Sequence, residues 1–239
     1  MQLIMGVHPI QEVLTHAPDR LMRLFTIRKE GELVRAAEKA GIPISVVSNH
    51  ELTRMVDSDS HQSFVAQVKD RKYYDVKEFL EETESQESTF VLMLDQIFDP
   101  QNFGALIRSA ECFGVSAVAW SKNRGSDLTP VAAKTSSGAS ELIPLIRIAN
   151  LAEAVTQFQK GGFEVVAALL DTKAESAFKF KYAPKTVLVV GSEGEGIQPL
   201  IQKRADRSIY LPMQGKIQSL NVAQATAALL ALRFSGWEN

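Results

Sequence analysis

The sequence predicts an α/β protein whose larger part is a mostly parallel sheet with helices on both faces. Two observations carry this prediction. Short apolar runs alternate with helical patterns along most of the 239 residues, which is the order that builds βαβ units. Runs such as 90–94 and 186–190 are apolar at nearly every position, as expected for parallel strands buried on both faces.

Residues 1–70 form a small unit within this pattern. The apolar periodicity predicts helices at 9–16 and 30–40 and strands at 21–27, 42–47 and 63–68. A third helix, ending near residue 56, begins at Ser48, which forms a capping box with Glu51. We therefore expect a compact α/β domain over residues 1–70.

Residues 71–88 differ in composition, since Glu, Ser and Thr dominate and apolar residues are few. Such a stretch offers little apolar surface to bury. We expect a linker here, with one helical turn near residues 77–82.

Residues 89–239 carry the larger α/β pattern, and we expect one domain over this range. The predicted strands are 90–94, 116–120, 145–148, 163–169, 186–190 and 208–211. Helices are expected to begin at Asn102, Asn150, Pro199 and Ser219. Residues 129–140 are rich in small hydroxyl side chains, and no element is assigned to them.

Composition and charge exclude several classes of protein. Hydrophobic residues make up 45% of the chain, but no apolar run approaches the ~20 residues that cross a bilayer, and the first residues do not resemble a signal peptide. Cys112 is the only cysteine, so no intrachain disulfide forms and a cytoplasmic location is expected. No Cys/His cluster predicts a metal site. With a net charge of −2, any RNA contact must come from local patches.

Three polar stretches, 95–102, 191–196 and 211–221, follow predicted strands, where open α/β sheets place their ligand sites. The glycine cluster GSEGEG at 191–196 matches neither G-x-G-x-x-G nor a loop ending in G-K-S/T. Glu193 and Glu195 would also repel phosphate. A cationic ligand without phosphate, such as S-adenosylmethionine, suits this loop, and a tight glycine turn with solvated acids explains it equally well.

Three further polar residues have two interpretations each. Ser219 and Asn221 stand where the last helix begins, so they are either helix caps or members of a site. Arg108 follows Asn102 by six residues on a predicted helix. It is either a solvated helix residue or a bidentate grip on phosphate.

Three segments together resemble the ordered motifs of the SpoU (TrmH) branch of the SPOUT RNA methyltransferases. They read DPQNFGALIRSAECFGV, LVVGSEGEGI and LPMQGKIQSLNVAQA. GVHPIQEVL and HQSFVAQVK resemble the small front domain of bacterial 23S ribosomal RNA guanosine-2′-O-methyltransferases, and KTSSGASELIPL resembles the segment between the first two motifs. The resemblance covers the whole chain, with Ala223 and Gln224 departing from the family's usual Ser and Val.

The resemblance implies a SPOUT-type trefoil-knotted parallel sheet with a small N-terminal α/β substrate-binding domain. It implies a homodimer that uses S-adenosylmethionine to methylate a ribose 2′-hydroxyl of RNA, with a guanosine of 23S ribosomal RNA as the expected target. From composition, we expect no membrane association and no metal. By position, the catalytic group would be Asn102, Arg108, Glu193, Ser219 and Asn221. The cofactor would contact Gly191, Leu211, Leu220, Met213 and Ala168.

Two alternatives remain at this point. A tRNA ribose methyltransferase of the same branch would carry the same motifs, although such enzymes typically have helical extensions in place of a folded front domain. A non-catalytic RNA-binding protein would have no need of all five catalytic positions.

Because a guanidinium stays protonated in proteins, we expect Arg108 to hold a phosphate and orient the hydroxyl. The proton acceptor is left open.

Overall fold

The computed structural model describes residues 1–171, 173–192, 194–217 and 219–235. The chain divides into two compact units. One unit comprises Met1–Lys72 and Leu128–Leu142, and the other comprises Tyr73–Asp127 and the chain from Ile143 onward. Residues 128–142 thus belong to the first unit, whereas the sequence groups them with the second.

The elements follow one another along the described residues. The strands are β1 (Gln2–Met5), β2 (Leu21–Thr26), β3 (Ile44–Val46), β4 (Phe64–Val68), β5 (Thr89–Asp95), β6 (Ala117–Ser121), β7 (Leu145–Ile148), β8 (Glu164–Ala168), β9 (Glu175–Ser176), β10 (Lys185–Gly191) and β11 (Arg207–Tyr210). The helices are α1 (Val7–His16), α2 (Glu32–Lys39), α3 (Asn49–Val56), α4 (Val76–Glu82), α5 (Pro100–Cys112), α6 (Pro130–Thr135), α7 (Ala139–Leu142), α8 (Leu151–Lys160), α9 (Pro199–Arg204) and α10 (Val222–Ser235).

The first unit is a four-stranded sheet in the order β1-β4-β2-β3 with helices packed on it. Only β2 and β3 pair in parallel. The predicted capping box at the start of α3 is confirmed: Glu51 N–H donates to Ser48 Oγ at 3.2 Å, and Ser48 N–H donates to Glu51 Oε2 at 2.8 Å. Strand β1 was not predicted, because its four residues are too short to show a period.

A buried ion cluster explains why residues 128–142 belong to the first unit. Glu141 lies on α7 with its side chain only 3% exposed, and its Oε2 accepts from Arg20 Nη1 at 2.7 Å and from Arg71 Nη2 at 2.5 Å. Ala132 and Ala133 on α6 are fully buried. The small side chains allow this close packing. Thr129 caps α6 and Pro130 stands at its first position, a start signal that the sequence interpretation did not use.

The second unit is built on a seven-stranded sheet in the order β7-β6-β5-β10-β8-β11-β9, and every pairing is parallel. All seven residues of β5 are buried. Helices α4, α8 and α9 cover one face, and α5 and α10 pack together on the other. The predicted parallel sheet with helices on both faces is therefore confirmed.

The helical turn predicted near residues 77–82 is found as α4, but the stretch 71–88 is otherwise not the expected linker. Tyr74 bridges to Ile146 beside β7, and Val76 and Phe79 on α4 are buried in the core of the second unit. Three apolar residues at helical spacing are enough to fix a short helix once a core is there to receive them. The acidic residues of this stretch point away from that core.

Two helix starts also differ from the prediction. Helix α5 begins at Pro100, and its cap is Asp99, whose carboxylate accepts the N–H groups of Gln101 and Asn102. Proline suits the first helical position because its missing N–H has no partner there. Asn102 is thus inside the first turn, which leaves its side chain available. Helix α10 begins at Val222, after Asn221 rather than at Ser219.

Helix α10 is anchored at its far end by Arg233. Its guanidinium lies 4.1 Å from the ring centroid of Phe90 at the start of β5. Burial lowers the pKa of Arg233, and burial raises the pKa of Tyr182 nearby to about 12. This anchor holds α10 against the sheet, with its first turn at the carboxyl ends of the strands.

No helix in the described ranges has the length and apolarity to cross a membrane.

Candidate active site

The direction of the chain reverses in the middle of the larger sheet. From β5 the chain passes outward to β6 and β7, and it then returns to place β8, β10 and β11 on the other side of β5. Gly191 at the end of β10 stands opposite Asp95 at the end of β5. Such a switch point opens a crevice at the carboxyl ends of the strands, where α/β sheets bind ligands.

A cavity of about 230 Å³ lies at this edge of the sheet. It is formed by the ends of β8, β10 and β11, the chain after β11, and the first two turns of α10. All five residues predicted to bind the cofactor line it: Ala168, Gly191, Leu211, Met213 and Leu220. That they contact a cofactor stays a prediction, but the fold brings three distant stretches of the chain to one wall.

Gly191 is confined where it enters this cavity. A Cβ added at Gly191 would lie 2.2 Å from the carbonyl carbon of Gly196 and 2.4 Å from the nitrogen of Ile197. Ser192 and Gly196 form an isolated bridge across the same turn. The backbone therefore folds back on itself so closely that only glycine fits at position 191.

Asn102 and Asn221 meet beside the cavity. Asn221 Nδ2 donates to Asn102 Oδ1 at 2.9 Å, and Asn221 Oδ1 accepts the N–H of Ala223 at 2.9 Å. Asn221 is flanked in the chain by Leu220 and Val222, which both line the cavity. The cap interpretation of Asn221 is thus correct, and its amide group simultaneously joins the first and third motifs.

The remaining predicted catalytic residues lie in different places. Ser219 is exposed and lines the cavity. Arg108 is exposed on α5, about 9 Å along the helix axis from Asn102, and it makes no hydrogen bond or ion pair with any residue that the structure describes. Glu193 falls outside the described residues. A single chain therefore gathers Asn102, Ser219 and Asn221 but leaves Arg108 apart from them.

Sequence reasoning missed Thr226, which lines the cavity from α10. Its Oγ1 is buried and has no hydrogen-bond partner in the described part of the chain. Buried hydroxyls are normally bonded, so this atom suits a polar group of a ligand. The available signal was one hydroxyl at the helical spacing i+4 from Val222 in an otherwise apolar helix.

The composition of the site agrees with an S-adenosylmethionine-type ligand. Its walls are mostly apolar, and the polar side chains among the lining residues are those of Ser192, Tyr210, Ser219 and Thr226. Such a lining suits an adenosine with a few oriented hydrogen bonds. Across the described ranges, no group of three or more His, Cys, Asp or Glu side chains could hold a metal ion.

Comparison with known families decides the relationship. The model of the SpoU rRNA Methylase family matches residues 89–231, more than half of the chain. The chain belongs to the SpoU methylase family. A second model, described as RNA 2′-O ribose methyltransferase substrate binding, matches residues 3–74.

Individual relatives match over nearly the full length. The chain is 33% identical over 234 residues to the Escherichia coli K12 protein named 23S rRNA (guanosine-2′-O-)-methyltransferase RlmB, with 96% of each chain covered. It is 32% identical over 231 residues to the RlmB of Acinetobacter baylyi, covering 94% of this chain and 93% of that protein.

A solved structure confirms the fold of this SpoU family member. The SpoU methyltransferase AviRb from Streptomyces viridochromogenes, in complex with the cofactor AdoMet, superposes with a TM-score of 0.84 at 21% identity, covering 99% of this chain and 90% of that chain. The parallel sheet with a small N-terminal α/β unit is thus the SpoU fold. The trefoil knot stays a prediction of the resemblance.

Proposed function

We propose that this SpoU family member transfers a methyl group from S-adenosylmethionine to the ribose 2′-hydroxyl of a guanosine in 23S ribosomal RNA. The observation that carries the proposal is the cavity at the switch point, where Gly191 of the second motif and Leu211 and Leu220 of the third line one wall. The near full-length relatives named as 23S rRNA guanosine-2′-O-methyltransferases support the choice of RNA and nucleotide.

The cofactor is proposed to bind with its adenosine against the apolar wall and with Thr226 Oγ1 donating or accepting one hydrogen bond. Bound S-adenosylmethionine supplies a methyl group already activated on a sulfonium. The protein must then align the ribose oxygen for in-line attack and help remove its proton, and alignment alone accelerates such reactions greatly. The Asn102–Asn221 pair fixes the loop on which Ser219 sits.

Arg108 is proposed to grip the phosphate beside the target ribose. Its planar fork suits bidentate binding of a phosphate, and its side chain is exposed on α5. With that phosphate held, the 2′-hydroxyl faces the methyl group, and an oxygen of the phosphate is placed to take the proton. The new O–C bond forms as the S–C bond breaks, and the sulfonium leaves as a neutral thioether. Glu193 is proposed to help position Arg108 and the ribose.

Purified protein tests the reaction directly. We expect it to transfer tritium from methyl-labelled S-adenosylmethionine to 23S ribosomal RNA isolated without this modification, and the digested RNA to yield labelled 2′-O-methylguanosine. Bulk tRNA is the comparison substrate. Label in tRNA alone would favour the tRNA methyltransferase alternative, and binding to RNA without transfer would favour a non-catalytic protein.

We also propose that the active form is a homodimer joined through the outer face of α10 and the chain that precedes it. Ile217 is 78% exposed and Phe178 is 63% exposed. Together with Met213, Ala228 and Leu232 they line an apolar groove in the second unit. A second copy of this chain suits the groove because it would also supply Arg108 to a site that lacks it within one chain.

Sedimentation checks the dimer. We expect a dimer of the 26.3 kDa chain at micromolar concentration, and we expect Ile217→Asp to shift it toward monomer and to reduce methyl transfer together, because a charge in an apolar interface is left unpaired. Glu153→Gln on α8, whose side chain is exposed outside the groove, is the control. An active wild-type monomer would contradict the proposal.

We propose that the first unit selects the RNA and that the enzyme works in the cytoplasm, where ribosomal RNA is found. A ribose looks alike on every nucleotide, so selection must come from contacts elsewhere on the RNA. Arg28 follows β2, is exposed, and lies with its guanidinium 5.7 Å from the centroid of Phe64. Phe64 itself is buried, so it is the exposed guanidinium plane of Arg28 that can stack on an unpaired base.

Charge reversal in the full-length chain tests this role. We expect Arg28→Glu with Lys29→Glu to raise the KM for RNA roughly tenfold and to weaken its salt dependence, since phosphate contacts are lost, while affinity for S-adenosylmethionine is kept. Arg35→Glu with Lys39→Glu on α2 makes the same change in net charge at another exposed place. Equal effects of the two pairs would indicate bulk charge rather than a specific surface.

A further inference from the structure

Asp95 is a buried carboxylate at the end of β5 that the proposed chemistry does not use. Asp95 is 0% exposed. Both of its oxygens accept hydrogen bonds from one residue: Oδ2 from the backbone N–H of Gln198 at 2.7 Å and Oδ1 from Gln198 Nε2 at 2.6 Å. Charged groups are rarely buried without a specific partner. This pair of hydrogen bonds therefore satisfies the buried carboxylate of Asp95.

Gln198 is also hydrogen-bonded to Arg124, which lies at the surface. The Gln198 Oε1 accepts from Arg124 Nη1 at 2.6 Å, and Arg124 is exposed after β6. A carboxylate only accepts hydrogen bonds and a guanidinium only donates them. A neutral amide with one donating and one accepting end is therefore the side chain that joins the two.

The hydrogen bonds between Asp95 and Gln198 close the base of the glycine loop, which runs from Gly191 to Gln198. The loop leaves β10 at Gly191, which stands beside Asp95 in the sheet register, and it returns to Asp95 at Gln198. Ile197, the residue before Gln198, is buried in the core. The two ends of the loop are thus held at neighbouring strand ends, with Gly191 and Ser192 facing the cavity.

We propose that Asp95, Gln198 and Arg124 form a positioning network that sets the glycine loop for S-adenosylmethionine. Asp95 and Gln198 do not line the cavity, so they act through the backbone of Gly191 and Ser192. The inference rests on the proposed cofactor site. It adds to that site three residues whose effect is on cofactor affinity, and it gives Gln198 a role that its position at the start of α9 alone does not explain.

Reciprocal substitutions in the full-length protein test the network. Gln198→Glu places a carboxylate against Asp95, and Asp95→Asn leaves one accepting oxygen for two N–H donors. We expect each to weaken affinity for S-adenosylmethionine, measured by calorimetry, by about tenfold or more, since a buried polar group is left unsatisfied. The double variant Asp95→Asn with Gln198→Glu restores a donor opposite each acceptor, and we expect it to recover most of the affinity.

A matched control is present at the opposite end of the sheet. Gln159 Nε2 donates to Asp206 Oδ1 at 2.9 Å, and Asp206 Oδ2 accepts the N–H of Val165 at 2.8 Å. The hydrogen-bonding groups are the same, but Asp206 is exposed whereas Asp95 is buried, and the cavity is not adjacent. We expect Gln159→Glu to lower the melting temperature without weakening cofactor affinity.

The outcomes separate the inference from the proposed function. No binding of S-adenosylmethionine by the wild-type protein would remove the proposed function itself. Wild-type affinity in Gln198→Glu, or no recovery in the double variant, would overturn the network alone. If Gln198→Glu does not fold, Arg124→Ala decides, because it removes only the outer, exposed bond: a few-fold loss of affinity supports the network, and unchanged affinity overturns it.

Discussion

Arg108→Ala is expected to remove most methyl transfer and to leave affinity for S-adenosylmethionine close to that of the wild-type protein. Arg108 is exposed on α5 and does not line the cavity, so its partner is the RNA. Without the grip of Arg108, the phosphate oxygen that takes the proton is no longer held in place, and a positioned acid–base group contributes roughly 10²–10⁴ in rate. Single-turnover transfer to 23S ribosomal RNA and calorimetry with the cofactor measure the two quantities separately.

Arg108→Lys sharpens this test. A lysine keeps the charge but cannot reproduce the planar fork that binds a phosphate bidentately, so we expect it to recover little of the rate. Arg35→Ala, at an exposed position on α2 in the first unit, controls for general loss of positive charge. Transfer by Arg108→Lys at nearly the wild-type rate would show that the orienting role is wrong.

Gly191→Val is expected to abolish detectable binding of S-adenosylmethionine. Even a single Cβ at this position would lie 2.2 Å from the Gly196 carbonyl carbon, and a branched side chain adds to the clash. The neighbouring atoms are backbone, so the loop itself must move away from the cavity. Calorimetry measures the affinity, and circular dichroism checks that the sheet is retained.

Gly194→Ala is the matched control for that substitution. Gly194 lies in the same loop, but a Cβ added there meets no atom within 4 Å. We expect nearly unchanged affinity. If both substitutions abolish binding, the loop is generally intolerant of change; if neither does, Gly191 does not shape the cofactor site.

Much of the architecture could be predicted because its signals are local. The apolar run of β5 and the Ser48–Glu51 capping box each involve residues close together in the sequence, and both are found in the structure. The predicted cofactor residues line one cavity because parallel strands bring their carboxyl ends to one edge. That gathering follows from the order of the motifs, and the periodicity of any single segment would not predict it.

The remainder depends on contacts between distant residues. Helix α4 exists because Val76 and Phe79 find a core that its acidic composition does not suggest. Residues 128–142 join the first unit through Glu141 with Arg20 and Arg71, partners that no periodicity connects. Asn102 was expected to cap α5, but Asp99 does so three residues earlier, and the released amide bonds Asn221 instead.

A map of ribose methylation tests the central claim most directly. Mass spectrometry of ribosomal and transfer RNA from cells with and without this protein should show one 2′-O-methylguanosine in 23S ribosomal RNA disappear. The wild-type protein should restore it, and Arg108→Ala should not. Unchanged ribose methylation of 23S ribosomal RNA in the absence of the protein, or a loss confined to transfer RNA, would contradict the account.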